Sequence, residues 1–242
     1  MLQVVLWKWE QAGLNRSYLP EHVDIMCAML RRNLHNTPHR IICVTDREAG
    51  VTECETAPLW QDHWDLPNGS GAHLPSCYRR LKIYDAQTQK ELGIDKGDRI
   101  MSIDLDTVIA NDIRRIVATE GRYVGWELKG RSHPRVFNGS LQMFTAGDLQ
   151  EIWSDFDPRV SPSLAGKAGF LGSDQAWLSY KLVNREGSVG LKWPEVSSYP
   201  LQNKLQSILR KDNAIIFFHG GLKPWDQSAV REAPWIERYW RQ

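Results

Sequence analysis

Two acidic residues interrupt an apolar segment near the middle of the chain. The segment reads IMSIDLDTVIA over residues 100–110, with Asp104 and Asp106 one residue apart inside it. Burying a carboxylate is costly unless it is paired with a cation or bound to a metal. Because residues i and i+2 of a strand point to the same face, both carboxylates are expected to meet at one point. A divalent cation with oxygen ligands is the expected occupant of that point.

Strand-like and helix-like patterns alternate over the first half of the chain. A helix is expected to begin at Pro20, since proline suits the first turn of a helix. Apolar strand segments surround it, at residues 2–7, 40–44 and 99–103. This order predicts an α/β fold with a mostly parallel, mixed sheet flanked by helices. Ligands of such sheets bind at the carboxyl ends of the strands, where the pattern also places Asp46 and His219.

The second half of the chain is less regular. Residues 147–156 and 201–210 are predicted to be helical, and residues 157–173 are predicted to be a loop. A further loop, 58–76, is rich in Pro, Gly and Trp and is expected to be a functional loop, either a lid or a binding platform, with a plain surface loop as the alternative. Because no repeat or linker is visible, residues 1–242 are predicted to form one domain.

The bulk composition excludes several classes of protein. The net charge of the 242 residues is +1, which gives no reason to expect a nucleic-acid surface. No apolar run approaches the length of a membrane span, and the first residues do not resemble a signal peptide. Four cysteines without CxxC spacing favour a reducing cytoplasm. The 11 tryptophans offer flat apolar faces that suit sugar rings or bases, although an aromatic-rich core is the simpler explanation.

Two classes of enzyme place acids at the end of a strand in this way. In haloacid-dehalogenase-type phosphatases, Asp104 would be the nucleophile and Asp106 the general acid. That class carries its D-x-D near the first strand, with an acidic pair later in the chain, and neither feature is present. In nucleotide-sugar transferases, the acids hold a metal that neutralises charge on the departing diphosphate.

Five segments favour the second class, because they occur in the order typical of one family. They read CYRRLKIYD (77–85), IDLDTVI (103–109), FNGSLQMF (137–144), GSDQAWL (172–178) and FFHGGLKPW (217–225). Together they resemble GT-A glycosyltransferases, especially the glycogenin-like family 8 branch. The resemblance implies a single GT-A domain with a nucleotide-binding half and a half for the donor sugar and acceptor. These halves would cover residues 1–110 and 111–242.

The resemblance also implies roles for individual residues. Asp104, Asp106 and His219 would be the metal ligands, for Mn²⁺ or Mg²⁺. Asn138, Asp174 and Gln175 would face the donor sugar and the reaction centre. The nucleotide and its diphosphate would contact both acids and a further set of residues: Leu6, Trp7, Lys8, Asp46, Arg80, Leu105, Gly221 and Lys223.

The implied activity is metal-dependent transfer of a hexose from a nucleoside-diphosphate sugar, with a UDP-sugar expected, to a hydroxyl acceptor. The family implies a retaining outcome, although the residues show no nucleophile, and Asp174 is the single candidate base for an inverting one. The segment HGGLKPW is shorter than the family pattern, NGS replaces NSG, and Ala176 replaces an aspartate. The phosphatase, and a non-catalytic protein that binds nucleotide sugars or carbohydrates, remain alternatives.

Overall fold

A computed structural model describes residues 1–10, 18–67, 77–199, 209, 211–219 and 221–242. The strands of this part of the chain are β1 (Leu2–Lys8), β2 (His39–Thr45), β3 (Glu55–Pro58), β4 (Arg99–Ile103), β5 (Thr107–Ile109), β6 (Tyr123–Leu128), β7 (Val136–Thr145), β8 (Ser188–Leu191), β9 (Val196–Ser198) and β10 (Ile215–Phe217). The helices are α1 (Pro20–Leu34), a 3₁₀ helix (Tyr78–Tyr84), α2 (Ala86–Glu91), α3 (Arg114–Val117), α4 (Glu151–Ser154), α5 (Ser161–Lys167), α6 (Asp174–Leu182), α7 (Gln227–Glu232) and α8 (Trp235–Tyr239).

The main sheet is mixed, with the order β3-β2-β1-β4-β7-β6-β8. Strands β3, β2, β1 and β4 are parallel, β7 is antiparallel to both β4 and β6, and β8 is parallel to β6. A second sheet has the order β5-β10-β9. The predicted α/β fold with a mostly parallel, mixed sheet is therefore confirmed.

Alternate side chains of β1 pack into cores on opposite faces of the sheet, as the two-residue period of a strand requires. Val4 and Leu6 join the core beneath α1, whereas Val5 and Trp7 join the core beneath the 3₁₀ helix and α6. All seven residues of β1 are buried. Burial on both faces explains why this strand reads as a continuous apolar run.

Several predicted elements differ from the structure. Residues 157–173 were expected to be a loop, but they contain α5, which has Pro162 in its first turn. The helix predicted over 147–156 is reduced to α4. All of the predicted helix 201–210 except residue 209, and residues 68–76 of the predicted loop 58–76, lie outside the described residues. No helix in the described ranges is long and apolar enough to cross a membrane.

His22 makes the stability of the fold depend on pH. Its ring is buried in α1, stacks on Trp225 at 3.9 Å between centroids, and accepts the Leu19 N–H at Nδ1. Burial lowers the pKa of His22 from 6.5 to about 4. The unfolded chain therefore binds a proton at higher pH than the folded chain does. This group lowers the free energy of unfolding as the pH falls from 6.5 towards 4, by up to about 3 kcal/mol.

His22→Gln removes the titrating group and keeps a hydrogen-bond acceptor. Urea unfolding of both proteins at several pH values between 7 and 4 measures the difference. We expect a shallower loss of stability for the variant, and equal slopes would show that His22 does not titrate in this window.

Candidate functional site

Asp104 and Asp106 occupy a bend between the two sheets, where the chain leaves β4 and enters β5. The Asp104 N–H donates to the Ser140 carbonyl at 3.0 Å, and the Thr107 hydroxyl donates to the Asp104 carbonyl at 2.6 Å. The two acids are therefore not neighbours on one strand, and the argument from strand alternation does not apply to them. They mark instead the point where a buried strand ends.

Arg80 joins two of the predicted site residues. Its Nη1 lies 2.5 Å from Asp104 Oδ1, while its Nε and Nη2 lie 2.8 and 2.6 Å from Asp174 Oδ2. Arg80 and Asp174 are both buried. Burial raises the pKa of Asp174, although the Arg80 guanidinium opposes the shift. The fork of guanidinium donors suits two carboxylates in a way that a lysine does not.

The surrounding backbone holds Arg80 and Asp174 in place. Asp174 begins α6, and the preceding Ser173 hydroxyl accepts the Cys77 N–H at 3.0 Å, just before the 3₁₀ helix that carries Arg80. Gly139 lies in an irregular part of β7 next to both charged groups. A Cβ at Gly139 would stand 2.7 Å from Arg80 Nη2 and 3.2 Å from Asp174 Oδ2. The glycine in NGS therefore permits this close approach.

Lys223 pairs with Asp106. Its Nζ binds Asp106 Oδ2 and donates to the Phe218 carbonyl at 3.0 Å, and the Tyr18 hydroxyl donates to the same Asp106 oxygen at 3.2 Å. Lys223 follows β10, which pairs antiparallel with β5. Just beyond this pairing, the Phe218 N–H donates to the Asp106 carbonyl, which brings the chain after β10 next to Asp106. Burial and the charge of Asp104 raise the pKa of Asp106, while Lys223 opposes that rise.

The three predicted metal ligands are not assembled around one point. His219 is exposed after β10, with its ring 5.9 Å from that of Trp126. Among the described residues, no group of three His, Cys, Asp or Glu side chains is placed to hold a metal ion. The donor atoms are of the kind that Mn²⁺ or Mg²⁺ accepts, but Lys223 already binds Asp106. The residues as they stand do not fit the metal.

A pocket opens beside Arg80 and Asp104. Tryptophan rings form one of its sides, with Trp7 and Trp9 edge to face at 6.5 Å. The Trp7 Nε1 donates to the Ser102 hydroxyl at 2.8 Å, which fixes the ring. Such a wall suits a base or a sugar ring. The lining residues are Trp7, Trp9, Tyr18, Cys77, Arg80, Asp104 and Leu105.

Asn138 and Gln175 line a second pocket, whose other residues come from β6, β7, α6 and the loops next to them. The Asn138 Oδ1 accepts the Ser140 N–H at 2.8 Å, and the Gln175 Nε2 donates to the Leu171 carbonyl at 3.2 Å. The pocket is bordered by Leu128, Gly130, Arg131, Val136, Phe137, Asn138, Gly169, Phe170, Leu171, Gln175 and Ser179.

The other residues predicted to contact the nucleotide line neither of these two pockets. The Leu6 side chain is in the core, so the predicted nucleotide contact of this residue would be made by its backbone. The Lys8 Nζ is buried, 3.2 Å from the Arg47 carbonyl and 3.9 Å from Asp46 Oδ1, while Asp46 itself is exposed. Gly221 is also exposed, with open space where a side chain would be.

Sequence reasoning missed three residues of the first pocket: Trp9, Tyr18 and Cys77. Trp9 was detectable, since it follows β1 directly and repeats the aromatic of Trp7. Tyr18 carried no signal, because its contact with Asp106 joins residues far apart in the sequence.

The fold is that of GT-A glycosyltransferases. The chain is similar to the galactosyltransferase LgtC, solved in complex with donor and acceptor sugar analogs. The two share 12% identity and a TM-score of 0.62, over 98% of this chain and 96% of LgtC. No protein-family model matches the chain, and no curated protein matches it in sequence.

Two further solved structures share this fold. The glycosyltransferase GlyE of Streptococcus pneumoniae TIGR4 is 13% identical, with a TM-score of 0.56 over 99% of this chain and 62% of GlyE. The bifunctional glycosyltransferase WbbM, solved as the apo protein, is 12% identical, with a TM-score of 0.53 over 98% of this chain and 50% of WbbM. The resemblance to GT-A glycosyltransferases is thus confirmed at the level of the fold, and the phosphatase alternative is not favoured.

Proposed function

We propose that the protein is a glycosyltransferase that moves a hexose from a nucleoside-diphosphate sugar to a hydroxyl acceptor. A fold alone does not define an activity, so the proposal rests on the site. The observation that carries it is the pair of acids at the end of β4, each bound by a buried cation, Arg80 or Lys223. Arg80 and Asp104 border a pocket that is also lined by Trp7 and Trp9.

Lys223 is proposed to stabilise the leaving group. Glycosyl transfer leaves negative charge on the nucleoside diphosphate, and a preorganised cation in a buried site lowers the energy of that charge. Among the described residues, the Lys223 ammonium is bound by one carboxylate, at Asp106 Oδ2, and by the Phe218 carbonyl. In the proposed complex it exchanges this carboxylate for the diphosphate.

A retaining outcome is part of the proposal. An inverting enzyme needs a base that the acceptor hydroxyl can reach. Asp174, the candidate for that role, is only 2% exposed and is bound by Arg80. These contacts suit a residue that holds Arg80 and faces the donor sugar better than they suit a base. Asn138 and Gln175 are proposed to contact the sugar from the second pocket.

The nucleotide is proposed to be UDP, bound in residues 1–110, with the sugar and acceptor bound in residues 111–242 and the enzyme acting in the cytoplasm. Mn²⁺ or Mg²⁺ on Asp104, Asp106 and His219 stays a prediction. An ion could bind these groups only after Lys223 leaves Asp106.

Binding of UDP with and without metal tests this assignment. By calorimetry, we expect UDP to bind in Mn²⁺, and to bind at least tenfold more weakly in EDTA or in His219→Ala. His219 is exposed, so its loss costs the fold little. His39→Ala is a matched control, because His39 lies at the opposite end of β2 from the site. Equal binding in Mn²⁺ and EDTA would show that the metal assignment is wrong.

A further inference from the structure

Helix α1 is fixed to the segment 52–54 at two points, Asp24 and Arg31. Asp24 Oδ1 accepts the N–H groups of Thr52 and Glu53, both at 3.1 Å, and its Oδ2 accepts the Thr52 hydroxyl at 2.8 Å. Further along the helix, Arg31 binds both the Glu53 side chain and the Glu53 carbonyl. These contacts hold the segment against one face of α1.

Two thiols meet between these points. Cys27 lies on α1 between Asp24 and Arg31, on the face that the segment 52–54 covers, and the Cys54 thiol is close enough to shift its pKa. Cys27 is fully buried, whereas Cys54 is partly exposed and packs against the same core. Cys54 is therefore the more exposed residue of the pair.

The surroundings of the two thiols shift their pKa values in opposite directions. The hydrogen bond from the Cys27 thiol lowers the pKa of Cys54, and the Cys43 N–H adds to that effect. The same hydrogen bond, together with burial, raises the pKa of Cys27. Burial also raises the pKa of Cys43 to about 12. Thiolates attack disulfides and thiols do not, and Cys54 is the more exposed of the two residues, so an oxidant in solution meets it first and Cys54 is the nucleophile of this group.

We propose that Cys27 and Cys54 form a reversible disulfide, which makes this pair a redox modification site. The inference is independent of the proposed glycosyl transfer. A low-molecular-weight disulfide such as oxidised glutathione is the co-reactant. A cross-link here would join α1 to the segment before β3 and restrict the unfolded chain.

The reaction proceeds by two exchanges. The Cys54 thiolate attacks one sulfur of oxidised glutathione, the glutathione S–S bond breaks, and one glutathione thiolate leaves and takes up the proton that Cys54 gave up. Cys27 then loses its proton and attacks the Cys54 sulfur, which releases the second glutathione thiolate to take up that proton. Two cysteines are oxidised to one disulfide, and one oxidised glutathione is reduced to two glutathiones.

Thiol counting and mass spectrometry of the full chain test the proposal. The reduced protein is exposed to increasing ratios of oxidised to reduced glutathione, quenched with acid, and digested without reductant. We expect the loss of two of the four free thiols and a peptide pair linked through Cys27 and Cys54, both reversed by dithiothreitol. Cys43→Ser is the matched control and should form the same cross-link.

Cys27→Ser separates the two exchanges. This variant should stop at the first step and carry a glutathione adduct on Cys54, and Cys54→Ser should carry neither product. A cross-link between Cys43 and Cys54 would overturn the assignment of Cys27. Retention of all thiols, or an adduct on Cys54 of the unaltered protein without a cross-link, would overturn the proposal. Circular dichroism of each reduced variant establishes that it is folded.

Discussion

Replacing Arg80 with methionine is expected to destabilise the fold by about 3–5 kcal/mol and to abolish transfer. Arg80 is the buried cation between Asp104 and Asp174, and its removal leaves two carboxylates near each other without their partner. Breaking a buried ion pair costs more than the pair contributes, because the remaining charge has lost its solvent. Urea unfolding at pH 7 measures the stability, and donor turnover measures the activity.

Two further variants separate the loss of stability from the loss of turnover. Arg122→Met is the matched control, because Arg122 forms an exposed pair with Glu151 at 3.5 Å and should change stability by less than about 1 kcal/mol. Arg80→Met with Asp174→Asn removes one unpaired charge and should regain part of the lost stability without regaining turnover. An Arg80→Met protein as stable as the control would contradict the buried network.

Replacing Lys223 with methionine is expected to lower donor turnover by about 10²–10³-fold. The proposed role of this ammonium is to bind charge that develops on the leaving diphosphate. Methionine fills a similar volume and supplies no charge. The loss should fall on kcat more than on KM, because the contact strengthens as the bond to the leaving group breaks.

The structural role of Lys223 needs a separate control. Without Lys223, the buried Asp106 has only the Tyr18 hydroxyl as a described side-chain partner, so part of any effect can come from the fold. Lys223→Met with Asp106→Asn should recover stability while turnover stays low. Lys181→Met, in an exposed pair with Asp155, should leave both unchanged. Turnover by Lys223→Met equal to that of the original chain would remove this residue from the mechanism.

The sheet was largely predictable from the sequence. Strand β4 begins and ends where the apolar pattern does, and α1 begins at Pro20 as expected. Both elements are decided locally, by burial on both faces and by the fixed backbone angle of proline. Helix α5 was missed because its short sequence, SPSLAGK, contains Pro, two serines and Gly, which are residues typical of loops.

The contacts within the site were less predictable. The motifs selected Arg80, Asp104, Asp174 and Lys223, and the structure places each within one of two buried ion-pair groups. The partners could not be read from the motifs, because each pair joins residues distant in the sequence and depends on how the second sheet meets the first. His219 is a second example: the motif predicts it to be a metal ligand, but the fold leaves its side chain exposed.

Turnover of a panel of nucleoside-diphosphate sugars tests the central claim most directly. The purified chain is incubated with each donor and Mn²⁺, and release of nucleoside diphosphate and of free sugar is followed by chromatography. We expect slow, enzyme-dependent release from one donor, with water as the acceptor, which Arg80→Met abolishes and Lys181→Met does not. Tight binding of a donor without release of diphosphate, in the presence of hydroxyl acceptors as well, would contradict glycosyl transfer and indicate a binding protein with this fold.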